Sequence, residues 1–327
     1  MGRVSTQAGS SVSLFGHDPA SYRPHALHGA GRTYQETNCY SDVLIELLHA
    51  RGDEPLAVMG STVRLDFEGD QWTFFKPHPS DLQALFGIDV HEMQPYRPLP
   101  EQIAEQIAAG QTLIVELDAW HLPDTAATSY RREHVKTSVA AEAIDPDRER
   151  LRYYHNTSLH ELQGDDYRGA LRVGRSFSDD VLPPYTEIVR FDARRRLQGE
   201  QLRRAARDLL RGHLDQRPAT NPFDRFGERL VEDFPALLAG DAADYHAYAF
   251  ATVRMAGAGF ELCDALARWL LGADSAAASA ALQRIVDNSK LLGFKLARRR
   301  AFDPTDALAS LSEAWDEAIW ALDDALG

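Results

Sequence analysis

Cysteine is nearly missing from this chain: Cys39 and Cys263 are the only two among 327 residues. A pair so far apart in a chain this long is not a disulfide framework, and it points to a reducing, cytoplasmic setting. Positive charge is also short, with 35 Lys and Arg against 49 Asp and Glu and a formal charge of -14. Nucleic acid and anionic membrane are therefore excluded as main partners, because both require a net basic footprint. No apolar run approaches the ~20 residues of a membrane-spanning helix. The start, Met1-Gly2-Arg3-Val4-Ser5-Thr6, lacks the apolar core of a signal peptide. There is no glycine-rich phosphate loop, hence no sign of nucleotide use. Twelve histidines invite a metal site. Yet the candidate sets, His121 with Asp118 and Asp124, or His155 with His160, do not follow a zinc spacing, and no metal centre is expected.

What remains is a soluble globular composition, 44% hydrophobic and 26% charged, long enough for about two domains. Residues 1 to about 30 read as an irregular lead-in. Thr37-Asn38-Cys39 then precedes a run whose apolar positions, Val43, Leu44, Leu47 and Leu48, share a helical face closed by Arg51-Gly52. Pro55-Leu56-Ala57-Val58-Met59-Gly60 reads as a short buried strand. Thr62–Phe67 and Gln71–Phe75 read as a β-hairpin about Glu68-Gly69-Asp70. Helices are expected from Ser80 to Phe86 and from Pro100 to Gly110. Thr112–Asp118 reads as a central strand. His134–Ala140 and Leu151–His155 read as antiparallel strands joined by Asp145-Pro146-Asp147, which puts His134 and Asn156 at the same end of a sheet. From Leu197 onward, five stretches (197–213, 223–239, 242–272, 276–300, 305–326) carry helical periodicity, with breaks at Pro222, Gly240, Gly272 and Pro304. The expected domains are an α+β unit over 1–195 and an all-helical unit over 196–327.

A thiol at a helix N-terminus feels the positive end of the helix dipole, which favours the thiolate. The bland alternative is a small buried apolar residue. A helix-borne cysteine, a later strand-opening histidine and an Asn or Asp ending the next strand form the chain order of the papain-like cysteine-peptidase fold. Cys39 takes the role of nucleophile, His134 of base and Asn156 of the group that fixes the imidazole tautomer. The Cys39 backbone N–H, with the side-chain amide of Gln35 or Asn38, is the candidate oxyanion hole. Cys263 lies on an amphipathic helix and reads as a core thiol. Asp118, at a strand end, is either an acceptor that supports the site or an ordinary strand-terminating hydrogen-bonding residue, and the ordinary reading is the preferred one.

The segments Thr37-Asn38-Cys39-Tyr40, Ile114–Pro123 and His134-Val135 resemble butirosin-biosynthesis-type acyltransferases, whose N-terminal domain is similar to cysteine peptidases. The whole chain, including Phe223–Gly227 and His246–Thr252, resembles an uncharacterised bacterial family of that clan, in which aspartate is commoner than asparagine at the third position. The resemblance implies acyl or aminoacyl transfer: an acyl group passes from a carrier protein's phosphopantetheine thioester to Cys39 and on to an amine or hydroxyl, with no tightly bound cofactor. The alternatives are a cysteine hydrolase (amidase, thioesterase or peptidase) with the same triad, and a non-catalytic binding module for a carrier protein or small metabolite. Arg194–Arg196, Arg203, Arg204, Arg207 and Arg211 form a basic run in an acidic chain. It is either a solvated helix face or a dock for an acidic carrier protein, with Arg203, Arg204 and Arg207 as the docking candidates.

Overall fold

A computed structural model describes residues 11–175, 182–192 and 196–327. The chain packs as two units. The first comprises residues 1–26, 42–53 and 86–196, the second 27–41, 54–85 and 197–327. Residues 194 and 195, part of the basic run and the expected boundary, lie outside the described residues. The expected boundary near 195 and the observed one at 196/197 are close. The stretches 27–41 and 54–85, expected in the α+β domain, pack instead with the helices.

The first unit is an antiparallel sheet of seven strands. Its main path runs β4 (Ile88–Met93), β9 (Thr186–Phe191), β5 (Thr112–Asp118), β6 (Lys136–Asp145), β7 (Arg150–His155) and β8 (Ser158–Gln163), while β1 (Val12–Ser13) pairs with the far end of β6. The pairing of β6 with β7 shifts register between Ala141 and Ala143; residues 136–140 of β6 meet β5, and Ala143 and Ile144 meet β1. Tyr153 and Tyr154 point to opposite faces, as successive strand residues must. On the Tyr153 face, Leu99, Ile103 and Ile107 of α3 (Leu99–Ala108) and Tyr167 and Ala170 of α4 (Asp165–Ala170) close over Leu113, Val115, Leu117 and Val139.

On the Tyr154 face lies α1 (Cys39–Arg51), whose residues from Asp42 onward belong to this unit. Its Glu46, fully buried, accepts the Tyr22 hydroxyl at 2.6 Å, and Tyr22 packs on the Tyr154 ring. Arg51 reaches the Phe86 carbonyl and lies over the Phe191 ring at the end of β9. Glu142, also fully buried, takes hydrogen bonds from the Tyr154 and Ser13 hydroxyls and from the backbone N–H groups of Phe15, Gly16 and His17. That set satisfies a carboxylate whose burial would otherwise be costly, and it pins the lead-in segment to the sheet.

The second unit is built on α8 (Met255–Leu271), most of which is buried; it packs on α9 (Ala276–Ala297), which in turn packs on α10 (Thr305–Leu326). α5 (Gly199–Leu214) and α6 (Pro222–Ala239) complete it, with Asn221 capping α6 through the Phe223 N–H. The segment expected as a strand at 55–60 is instead a 3-10 turn, Pro55–Val58, followed by a second one, Gly60–Arg64. Pro55 supplies a helical φ, and the Glu54 carboxylate accepts the Leu56 N–H, so a start signal outweighs a short apolar run that fits either state. The hairpin survives as β2 (Phe67–Glu68) and β3 (Gln71–Trp72) around Gly69, which sits at φ +69°.

Aromatic packing holds this stretch among the helices. The Trp72 ring lies 4.7 Å from Phe223 of α6 and 6.0 Å from Phe260 of α8. Cys263 is a core thiol: burial pushes it up to about 12, against the opposing hydrogen bond with Thr62. No helix among the described residues is long and apolar enough to cross a membrane.

Candidate active site

The C-terminal end of β5 builds a histidine site in the first unit. Asp118 is the last strand residue and caps the turn Ala119–His121 by accepting the Trp120 N–H at 3.0 Å. Its second oxygen, Oδ2, takes Nδ1 of His134 at 2.6 Å. Trp120 stacks on the imidazole, centroids 4.6 Å apart and planes within 11°. The Ala119 N–H donates to the Val135 carbonyl, which ties the two chain segments just outside the β5–β6 ladder. His134 is thus fixed along one edge and one face, while its side chain stays 71% exposed and Asp118 35% exposed. A carboxylate on Nδ1 sets the tautomer that leaves Nε2 free to exchange a proton.

Asn156 does not fill that role, because the partner of His134 is Asp118. The register explains why. Ala140 pairs with Tyr154, so Asn156 continues opposite Ser138, four residues and about 13 Å of strand short of His134. Asp118, by contrast, pairs with Lys136, level with the start of β6. His134 itself precedes β6 by two residues rather than opening it. Asn156 occupies the β7–β8 turn in a left-handed conformation, φ +48°, which asparagine tolerates better than most residues. Of the two readings the sequence offers for Asp118 at the end of Thr112–Asp118, the supporting acceptor describes its contact with His134, and the preferred strand-terminating one does not.

A second histidine–aspartate pair lies inside the same unit. His155 places Nδ1 2.5 Å from Asp124 Oδ2 and Nε2 2.8 Å from the Thr137 hydroxyl, and Asp124 Oδ1 accepts the Tyr153 hydroxyl at 2.5 Å. His160 stands 4.0 Å from the same carboxylate. Burial alone would raise Asp124; the hydrogen bond and charge of His155, the field of His160 and the Tyr153 hydroxyl outweigh it and hold the carboxyl below the usual aspartate range. With side-chain exposures of 1% and 5% and both imidazole nitrogens occupied, this pair has no free edge for a reactant. Asp124, grouped from sequence with His121 and Asp118, serves His155 and Tyr153 instead. His121 packs its ring over Gly169, and burial lowers its pKa.

In the second unit, the helix α1 begins at Cys39 itself, with a partly exposed free thiol. The residues proposed as oxyanion donors have other work. Asn38 is the N-cap of α1: its Oδ1 accepts the Ser41 N–H at 3.0 Å and its Nδ2 donates to the Phe75 carbonyl at 2.7 Å. Gln35 donates to the carbonyls of His28 and Gly29 at 3.3 and 2.7 Å. Both amides therefore hold the loop that presents Cys39.

The docking arginines are likewise divided. Arg203 donates to the Trp269 carbonyl and stacks on that indole, its guanidinium 4.6 Å from the ring centroid, while Arg207 donates to the Ala325 carbonyl at 3.4 Å and Arg211 to that of Leu326. These carbonyls lie in the last turns of α8 and α10, where backbone acceptors have no helical partner and cations are favoured. Arg204 alone of the three candidates is exposed with no partner among the described residues.

No curated protein matches the chain. Residues 23–191 match the family model described as the DUF1839 N-terminal domain, and residues 199–324 match the DUF1839 C-terminal domain. The join between the matches, 192–198, brackets the 196/197 division of the two packed units. Together the two models span most of the sequence, and the chain belongs to the DUF1839 family.

Proposed function

We propose that the protein is a cysteine-dependent acyl- or aminoacyltransferase of papain-like design, with Cys39 as nucleophile, His134 as acid–base and Asp118 as its positioning residue. The single observation that carries the reading is the Asp118–His134–Trp120 clamp, an imidazole oriented by a carboxylate and an indole yet open along its Nε2 edge. Further support comes from a helix that begins at a partly exposed cysteine and whose body packs on an antiparallel sheet.

In the first step the Cys39 thiolate attacks the thioester carbonyl of a loaded carrier protein. The carbon–sulfur bond to the phosphopantetheine arm breaks, and its thiolate leaves with a proton from the His134 imidazolium. An amine or hydroxyl acceptor then attacks acyl-Cys39 and gives its proton to His134, which restores the thiolate–imidazolium pair. Water in place of the acceptor makes the same machinery a hydrolase. An acidic carrier would be steered by Arg204, the docking candidate left without an internal partner.

Intact-mass measurement after incubation with aminoacylated carrier protein tests the reading. The aminoacyl mass is expected on the wild-type protein and on none of Cys39→Ala. Wild-type protein that stays unmodified while the carrier remains loaded refutes it. The chemistry also requires the Cys39 sulfur to meet the His134 imidazole, so iodoacetamide should alkylate Cys39 near neutral pH at least about tenfold faster in wild type than in His134→Ala.

A further inference from the structure

The second unit contains a cavity of about 240 Å³ walled by the loop Thr33–Thr37 and by residues of the stretches 245–254 and 289–294. Two buried hydroxyls in its lining have no hydrogen-bond partner: Ser289 Oγ, on a residue 1% exposed, and Tyr34 Oη. A buried hydroxyl left unpaired is costly, and native structures place such groups where something else supplies the partner. At the mouth stand two exposed cations, Arg254 and Lys290. Lys290 has no partner among the described residues, and Arg254 makes only a long 3.5 Å contact with Thr37 Oγ1 and a distant approach to the Phe250 ring. No carboxylate lines the cavity; Val253, Ala249 and Phe294 give it apolar walls.

Local structure around the cavity is shaped for it. The chain between α7 (Ala242–Ala249) and α8 takes a π-helical turn over Phe250–Arg254, which inserts an extra residue per turn and sets both Val253 and Arg254 on the cavity wall. Such turns concentrate at functional sites. Tyr34 sits against Gly257, where any Cβ would fall 2.3 Å from its ring. Glu261 holds the backbone N–H groups of Thr33 and Tyr34 at 2.5 and 2.9 Å, so the loop carrying the phenol is anchored.

The geometry points to a binding site for a small organic monocarboxylate with an aliphatic or aromatic body. The guanidinium and ammonium meet the carboxylate, the Ser289 and Tyr34 hydroxyls donate to it or to a polar group beside it, and the apolar walls enclose the body. A ligand ammonium would find no carboxylate in the lining itself, the nearby Glu261 being engaged with the Thr33 and Tyr34 N–H groups. At the roughly 30 Å³ that each liquid water occupies, the volume holds about eight waters, or an organic molecule of similar heavy-atom count. A phosphopantetheine arm is too large to be enclosed there. The site stands on its own residues, whether or not Cys39 is a nucleophile.

Titration calorimetry of the full chain with benzoate, isovalerate, benzamide and inorganic phosphate tests the assignment. At least one of the two carboxylates is expected to bind at one site, with benzamide about tenfold weaker or worse. Arg254→Met should weaken that binding about ten- to hundredfold, as expected for losing a charge-assisted hydrogen bond. Ser289→Ala should weaken it less, and thermal unfolding of each variant shows that it is folded. The proposal is overturned if neither carboxylate binds at millimolar concentration, if benzamide binds as well as benzoate, if only phosphate binds, or if folded Arg254→Met and Lys290→Met both bind as wild type does.

Discussion

Replacing Asp124 by asparagine should destabilise the sheet unit, and the structure sets the size of the effect. The wild-type carboxylate accepts from Tyr153 and His155 at 2.5 Å each, in surroundings that leave the aspartate 5% and the histidine 1% exposed. Asparagine offers one acceptor oxygen for two donors, so its amide N–H₂ must face either the phenol or the imidazole. One buried donor left unsatisfied costs about 1–3 kcal/mol. A loss of ~1–3 kcal/mol in a unit of this size lowers the melting temperature by roughly 2–12 °C.

The pH dependence has a definite sign. Asp124 is held below the ordinary aspartate range, so the unfolded chain binds that proton more tightly than the folded one. The stabilisation is complete above the unfolded value near ~4 and is lost as pH falls through the lower folded value. Wild type and Asp124→Asn should therefore differ fully at pH 7 and 5 and converge in stronger acid. Circular dichroism with urea titrations at several pH values measures this. A difference below about 1 kcal/mol at pH 7, or one that persists unchanged in acid, would refute the reasoning.

Asp118→Asn is expected to behave in the opposite way: the exposed pair contributes under about 1 kcal/mol to stability, while carrier-dependent acylation of Cys39 falls about 10²–10⁴-fold as the imidazole loses its orienting carboxylate. Equal losses of stability at Asp118 and Asp124 would contradict that contrast in urea titrations. Gly257→Ala drives a methyl into the Tyr34 ring and should cost about 1–3 kcal/mol, with weaker binding of benzoate or isovalerate as the phenol shifts, both read by calorimetry. Arg203→Ala removes the Trp269 stack and a donor to the end of α8, costing about 1 kcal/mol of thermal stability. Arg204→Glu should leave stability within about 0.5 kcal/mol yet slow carrier-dependent turnover, most at low salt; equal turnover at all salt concentrations would remove Arg204 from the dock.

The sequence by itself determined the elements whose signals are local. Long helical periodicity and the breaks at Pro222, Gly240, Gly272 and Pro304 mark the C-terminal helices, because each break acts on the backbone where it stands. Thr112–Asp118 is a strand with those same ends, and Cys39 opens its helix because Asn38 beside it is a cap. Only the tertiary structure decided which distant groups meet. Pairing register made Asp118, not Asn156, the partner of His134, since His134 adjoins two strands and sequence order brings attention to just one of them. Aromatic packing on α6 and α8 drew Trp72 and the 54–85 stretch into the helical unit, and helix ends that lack their own donors took up Arg203 and Arg207. Each of these outcomes is a contact between residues far apart along the chain, chosen by competition among many possible partners for burial and hydrogen bonds, and no single segment carries that competition in its own composition.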